Sequence, residues 1–119
     1  MANPRLSRES KYKNIPHVID GIRFASKKEA QRYADLKLLE KAGKISQLYC
    51  QYDFPLHVCG TLVCTLRADF TYFENGNPVV EDVKAKSKNG KTPDTCAYRL
   101  FQLKAKLFKA IYGREVVEI

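Results

Sequence analysis

The sequence lacks any apolar run long enough to cross a membrane, and no basic start leads into a hydrophobic segment. It also lacks internal repeats and low-complexity segments. These absences argue against a membrane-spanning or exported chain. We therefore expect a soluble protein with no membrane partner, located in the cytoplasm.

The four cysteines lack the spacing of a structural metal site. They form no CxxC pair and no matching CxxH. An intracellular setting also argues against disulfides. Cys64 falls on the same predicted strand face as Leu62 and Leu66, which is typical of a small buried hydrophobe. We assign no chemistry to the cysteines, which are Cys50, Cys59, Cys64 and Cys96.

Acidic residues are in the minority, because 21 Lys and Arg stand against 13 Asp and Glu, a formal net charge of +8. This excess favours a polyanionic partner, of which nucleic acid is the obvious one. Residues 1–14 are basic and carry little apolar content, so we expect a flexible arm there. A solvated tail and a phosphate-contacting arm both explain it. The remaining residues, 15–119, have the size of a single domain.

Local signals predict helices and strands along the chain. Asp20-Gly21 predicts a hairpin over residues 17–24. A helix is expected from Ser26 to about Ala42, ended by Gly43. Further on we expect a half-buried strand over 44–56 that ends or turns at Pro55, a hairpin over 66–84 around Asn75-Gly76, a helix from Asp94 or Thr95 to about Tyr112, and a last strand over 115–119.

The central hairpin brings ionisable residues together. Strand alternation places four apolar residues on one face and Asp69 on the other. Asp82 and Lys84 share one face of the next strand, so all three side chains could converge. Two carboxylates and a lysine are expensive to bury but suited to holding a divalent metal beside a phosphate. The four apolar residues are Leu66, Ala68, Phe70 and Tyr72.

Two further charged residues have a structural and a functional interpretation. Ser26 and Glu29 fit the capping box S-x-x-E, which explains Glu29 by itself. Lys104 interrupts the apolar side of the second helix, where an unpaired ammonium would be costly. Its stem could extend to the surface, or its ammonium could reach a carboxylate cluster. Its expected apolar neighbours are Leu100, Leu107, Phe108 and Ile111.

After a hairpin, the predicted order is helix, three strands, helix and strand, and from about Phe24 to Ile119 the chain resembles the PD-(D/E)XK nuclease superfamily. The motif of that superfamily has an acidic residue on the first helix, an Asp on the second core strand and D/E-x-K on the third. Glu29, Asp69 and the triplet Asp82-Val83-Lys84 match those positions. Ala68, rather than Pro, precedes Asp69. Within the superfamily, the chain resembles a small phage-encoded group through the segments FASKKEAQRYADLKLLEKAGKI, RADFTYF, VVEDVK and YRLFQLKAKLFKAIYG.

The resemblance implies an α/β fold with a restriction-endonuclease-like αβββαβ core, a mixed sheet flanked by two main helices, and an N-terminal β-hairpin. It implies a metal-dependent endonuclease that hydrolyses DNA phosphodiester bonds in phage DNA processing in the host cytoplasm. Branched or junction DNA is one candidate substrate, and the sequence leaves duplex and single-stranded DNA open as well. Mg²⁺, for which Mn²⁺ could substitute, would bind Asp69, Asp82, the Val83 carbonyl and Glu29. Lys84 would orient the nucleophile, and Lys104 would contact the scissile phosphate. A homodimer is one arrangement that would cut two strands.

The basic residues around this site are the expected DNA contacts, namely Lys86, Lys88, Lys91 and Arg99. Two alternatives remain open from the sequence. One is a nucleic-acid-binding protein on the same fold that does not cleave. The other is a structural protein in which Asp82 and Lys84 form a surface ion pair. In that protein Glu29 would only cap its helix. Glu81 could compete with Asp82 for the motif, but it would face away from the site.

Overall fold

The computed structural model describes residues 17–86 and 93–119. The chain forms two compact units, Met1–Ala34 and Asp35–Ile119. The predicted α/β fold is confirmed, with two helices, a four-stranded mixed sheet and an N-terminal antiparallel hairpin. The predicted arm of residues 1–14 lies outside the described residues. In chain order the elements are β1 (His17–Ile19), β2 (Ile22–Phe24), α1 (Lys27–Lys41), β3 (Ser46–Val58), β4 (Thr61–Glu74), β5 (Asn77–Asp82), α2 (Cys96–Tyr112) and β6 (Val116–Glu118).

In the first unit, the β1–β2 hairpin packs against the start of α1. The predicted turn at Asp20 and Gly21 is confirmed, since both residues have the positive φ of a tight hairpin turn, 53° and 77°. The Tyr33 hydroxyl donates a hydrogen bond to the Asp20 carboxylate at 2.7 Å. The rings of Phe24 and Tyr33 lie 5.1 Å apart between centroids. One side chain of α1 therefore holds both the turn and the end of the hairpin.

The start of α1 is capped as the sequence predicts. The Ser26 hydroxyl oxygen accepts a hydrogen bond from the backbone N–H of Glu29 at 3.1 Å. The Glu29 carboxylate accepts one from the backbone N–H of Ala25 at 3.3 Å, one residue earlier than in the usual capping box. Glu29 thus contributes to the helix start, but through a long, exposed hydrogen bond.

In the second unit, the sheet has the strand order β3-β4-β5-β6. Neighbouring strands are antiparallel from β3 to β5, and β6 runs parallel to β5. The turns between the antiparallel strands lie at Cys59-Gly60 and at Asn75-Gly76, and all four residues have positive φ. The turn at Asn75-Gly76 was predicted, and the strand order makes β4 and β5 the central strands of the sheet.

The prediction that the first long strand would end or turn at Pro55 is wrong. β3 continues to Val58, and Pro55 is paired with Thr65 inside the strand. β3 lies at an edge of the sheet, where a residue without an N–H can be accommodated because only one side of the strand needs hydrogen bonds. Two residues of β3, Gln47 and Gln51, have a φ of 54° and locally interrupt its regular geometry.

Helix α2 covers one face of the sheet with two buried phenylalanines, Phe101 and Phe108. Thr95 caps its start by accepting a hydrogen bond from the Tyr98 N–H at 3.1 Å, and Gly113 ends it with a φ of 72°. Full burial of a phenylalanine stabilises a fold by about 1.5–3 kcal/mol. Among the described residues no helix has the length and apolar content needed to cross a membrane. The sheet residues beneath α2 in the core are Leu56, Leu66, Ala68 and Val80.

Candidate functional site

Asp69 and Asp82 face each other on the two central strands. Phe70 is paired with Glu81, and the same register continued by one residue sets Asp69 opposite Asp82. Residues in directly opposite positions point to the same face of a sheet. The two carboxyl groups are close enough for a hydrogen bond between them. Asp69 also accepts a hydrogen bond from the Val83 N–H at 2.7 Å, which fixes its carboxylate beside the end of β5.

Strand β4 does not alternate evenly, contrary to prediction. Phe70 is paired with Glu81, and the Tyr72 hydroxyl donates a hydrogen bond to the Glu81 carboxylate, so these three side chains share one face. Val80 faces the opposite way, and it packs in the core with Ala68. The strand therefore changes face between Ala68 and Phe70. The prediction of a single face was wrong for a set of four residues, Leu66, Ala68, Phe70 and Tyr72.

The change of face falls at Asp69. Across from it in β3 lies Gln51, between the partners of Ala68 and Phe70, with a φ of 54°. An irregularity of this kind re-aims one side chain without ending the strand. It leaves Asp69 half-buried on the face covered by α2 rather than on an exposed polar face.

The environment of Asp82 favours its protonated form. The pKa of the Asp82 carboxyl is raised to about 6, with burial as the largest cause. The nearby Asp69 carboxyl raises this pKa further through charge repulsion, while the hydrogen bond with the Lys84 ammonium lowers it. A carboxyl whose pKa is raised by burial and a like charge is a common feature of functional sites.

Lys84 lies beside this acidic pair, as predicted. Its Nζ is 2.5 Å from Asp82 Oδ2 and 3.5 Å from the centroid of the Phe101 ring. The aromatic face and the carboxylate both stabilise the ammonium. The backbone N–H of Lys84 donates a hydrogen bond to the Ile119 carbonyl at 3.1 Å, so the residue that follows β6 holds the backbone of this lysine.

Lys104 lines the same cavity as Asp82 and Lys84. This cavity has a volume of about 220 Å³, and α2 contributes Phe101 and Leu100 to its wall. Lys104 is half-buried. The predicted surroundings of Lys104 were partly wrong, because Phe108 is buried as expected, whereas Leu100 and Ile111 are exposed.

The acidic pair belongs to no larger group of possible metal ligands in the described part of the chain. Within residues 17–86 and 93–119, no group of three or more His, Cys, Asp or Glu side chains is placed to hold a metal ion. Glu29 belongs to the first unit, at the start of α1, and its role as a metal ligand stays a prediction. Val83 is half-buried, and its N–H is used by Asp69, while its carbonyl oxygen is the atom predicted to bind metal.

The predicted DNA contacts are only partly described. Lys86 is exposed, and Lys88 and Lys91 lie outside the described residues. Arg99 is also exposed and forms two hydrogen bonds of 2.8 Å with the Asp94 carboxylate. Such an exposed ion pair contributes little to stability, so binding to a phosphate could replace it.

The buried hydrogen bond of Glu81 was not predicted from the sequence. Glu81 is only 1% exposed, and its carboxylate accepts a hydrogen bond from the Tyr72 hydroxyl. It lies on the face opposite Val80 and Asp82, as expected if Asp82 is the motif residue. The sequence offered one signal for the Tyr72–Glu81 pair, since both residues occupy apolar-face positions of adjacent strands.

Together these features define an α/β protein whose mixed sheet carries two facing aspartates on its central strands and a lysine two residues past the end of one of them. The chain belongs to the family described as "Protein of unknown function (DUF1064)", whose family model matches residues 9–117. Neither the curated proteins nor the solved structures include a significant match to it.

Proposed function

We propose that the protein is a metal-dependent endonuclease that hydrolyses DNA phosphodiester bonds at the site formed by Asp69, Asp82 and Lys84. The observation that carries this proposal is the convergence of two carboxyl groups on the central strands beside a half-buried lysine just past the end of β5. The resemblance of these positions to the PD-(D/E)XK motif supports it. The net charge of +8 is consistent with a nucleic-acid substrate.

The residues present fit a magnesium ion. Mg²⁺ is usually bound by one or two carboxylates together with retained waters and substrate phosphates, so it does not need three protein carboxylates. Asp69 and Asp82 would supply the carboxylates and Val83 the carbonyl oxygen, and Mn²⁺ would be accepted in the same place. When bound, the metal would lower the pKa of a coordinated water and stabilise charge on the phosphate.

The lysines of the site would handle charge and position. Lys84, held between Asp82 and the Phe101 ring, would orient the attacking water and offset negative charge in the transition state. Lys104 lines the same cavity and would contact the scissile phosphate from α2. A preorganised ammonium in a partly desolvated cavity acts more strongly than one in water.

One observation favours a second candidate function, a protein of this fold that binds nucleic acid without cleaving it. Within residues 17–86 and 93–119, no third His, Cys, Asp or Glu side chain joins Asp69 and Asp82 in a group placed to hold a metal ion. Both candidates predict binding to DNA. They differ in whether DNA is cut when Mg²⁺ is added.

The decisive experiment is a cleavage assay on linear, flapped and four-way-junction DNA, with and without Mg²⁺. We expect the wild-type protein to cut at least one of them only with the metal. Asp82→Asn should abolish cleavage, because it removes a charged ligand while keeping the side-chain shape. It should leave DNA affinity equal or higher, because one negative charge facing the phosphates is removed.

Glu115→Gln is the matched control. Glu115 is an exposed carboxylate that lies beyond the C-terminal end of α2 and is paired with Lys109. It should cut like the wild type. Cleavage that survives Asp82→Asn in a preparation free of other nucleases would overturn the catalytic assignment. Wild-type binding without cleavage on every substrate would favour the non-catalytic function.

A further inference from the structure

A groove lined by aromatic side chains lies on the sheet, separate from the acidic pair. Its volume is about 190 Å³. We call it the aromatic groove and define it by Tyr49, Tyr52, Phe54, Phe73 and Arg114. None of these residues was assigned to the candidate site above.

The strand register places this groove on the same face as the acidic pair. Thr71 is paired with Tyr49 on one side and with Val80 on the other, and all three line the groove. Asp82 follows Val80 by two residues, which returns to the same face about 7 Å further along the strand. The aromatic groove and Asp82 therefore lie on one face of the same central strands, which α2 also covers in part.

The aromatic side chains of the groove are unusually exposed. Tyr49 is 56% exposed, Tyr52 46% and Phe73 38%. The rings of Tyr49 and Tyr52 lie 6.3 Å apart between centroids at an interplanar angle of 53°, so they do not stack on each other. The Tyr52 ring also packs against Phe54, with 4.8 Å between the ring centroids, so the Tyr49 ring and the exposed part of the Tyr52 ring are the surfaces that a ligand can reach. Aromatic rings that are open to solvent beside a basic surface are the usual stacking platform for bases of single-stranded nucleic acid.

The size and charge of the groove also suit a base with its phosphate. Drug-sized ligands occupy pockets of about 300–1,000 Å³, so the aromatic groove is large enough only for one flat ring system. Arg114 is the only charged residue among the described residues that line it. Its guanidinium could contact the phosphate attached to a stacked base.

We propose that the aromatic groove binds an unpaired nucleobase, so that the preferred substrate carries a single-stranded segment next to the cleaved bond. A base in a continuous duplex is paired and stacked, and it could not enter. This inference rests on the proposed function, and it narrows the substrate class to DNA with a flap, gap or branch.

The test measures binding of full-length protein by fluorescence anisotropy, in the Asp82→Asn background without Mg²⁺ so that no probe is cut. The probes are an oligothymidylate, an oligonucleotide of equal length in which abasic sugars replace the nucleosides, and a fully paired duplex. The double variant Tyr49→Leu with Tyr52→Leu removes the rings. The variant with both tyrosines changed to Phe keeps them, and Leu62→Ala alters an exposed residue of the β3–β4 hairpin tip outside the groove.

We expect the leucine variant to bind oligothymidylate about tenfold more weakly. Its binding to the abasic probe and to the duplex should change little, because neither offers a free base. The phenylalanine and Leu62→Ala variants should bind as tightly as their parent.

Equal affinity of the parent for oligothymidylate and the abasic probe would overturn the inference. So would a leucine variant that binds oligothymidylate as tightly as the parent, or one that weakens all probes equally. Each of these results would leave a nuclease without a base-binding groove. Failure of the wild-type protein to bind any nucleic acid would instead overturn the proposed function itself.

Discussion

Asp82 is subject to opposing influences within a few ångströms. Burial and the Asp69 carboxyl raise its pKa, and the Lys84 ammonium partly offsets them. The result is a carboxyl with a pKa of about 6, which changes its charge near physiological pH. A divalent cation between Asp69 and Asp82 would remove the repulsion between them, so the unusual pKa marks the place where a metal would be most stabilising.

The titration of Asp82 provides a test that does not depend on catalysis. In metal-free protein, the Asp69–Asp82 pair should titrate with an upper apparent pKa near 6, followed by carboxyl ¹³C chemical shifts. Saturating Mg²⁺ should lower this pKa, because a cation favours the ionised carboxyl. Conversely, Mg²⁺ affinity should fall as the pH drops through about 6, since protons then compete for the carboxylate.

Asp53 serves as the internal control for this titration. It is exposed, and its hydrogen bond to Arg67 holds its pKa below the usual range. Its chemical shift should not respond to Mg²⁺. A pair that titrates near pH 4 in metal-free protein would contradict the proposed environment of Asp82, and a pKa unaffected by Mg²⁺ would argue against a metal at this site.

At the scale of secondary structure, two variants at the start of α1 distinguish the capping role of Glu29 from its proposed role in positioning the metal. Ser26→Ala and Glu29→Gln each weaken the helix cap, and each should lower the free energy of unfolding by about 1 kcal/mol or less. If Glu29 also positions the metal, as its match to the superfamily motif implies, only Glu29→Gln should severely reduce cleavage. We expect this difference, measured by thermal unfolding and by cleavage rates on the same preparations.

Ser26→Ala is the matched control, because it removes the stronger capping bond and leaves the carboxylate in place. Two variants with equal stability and equal, undiminished cleavage would assign Glu29 to the cap alone. A large loss of stability in Glu29→Gln would show that the carboxylate has a greater structural role than its 3.3 Å hydrogen bond suggests.

Elements whose signals are local could be predicted from the sequence. The hairpin turn at Asn75-Gly76 and the cap at Ser26 are dictated by the conformational and hydrogen-bonding preferences of a few adjacent residues. Gly113 likewise ends α2 in the left-handed conformation. Alternation also predicted the contact between Asp82 and Lys84, which forms although β5 ends at Asp82 and Lys84 lies beyond the strand.

Features that depend on a neighbouring strand could not be predicted. The change of face at Asp69 coincides with the positive φ of Gln51 in β3, and no residue near Asp69 signals it. Pro55 indicates a strand end until the strand is known to lie at an edge. Asp69 was still placed with Asp82 correctly, although the set of residues sharing its face was wrong.

For the whole molecule, neutralising basic residues tests DNA binding independently of the cleavage reaction. Neutralising Lys86, Lys88 and Lys91 should weaken DNA binding and make its salt dependence shallower, by about one unit of log–log slope for each phosphate that the variant no longer neutralises. In the Asp82→Asn background, binding titrations at several salt concentrations measure this slope directly. When the same three lysines are neutralised in the wild-type background, the cleavage rate at saturating DNA should be unaffected.

A triple variant of Lys37, Lys41 and Lys44 is the control, because it removes the same charge from exposed positions at and beyond the end of α1. It should change the slope much less. Equal slopes in the two triple variants would mean that only net charge matters. The segment around Lys86 would then no longer be assigned to the DNA interface.

The edges of the sheet have a consequence for the protein at high concentration. β3 has 13 residues and, among the described strands, a neighbour on one side only. Such an edge could template the addition of strands from other molecules, the first step towards aggregation. Pro55 lacks the N–H that such a ladder would use, and the positive φ of Gln47 and Gln51 interrupts the regular backbone of the strand. At the other edge, β6 is only three residues long. The irregularity of β3 that helps to aim Asp69 therefore also makes the sheet a poor nucleus for fibre growth.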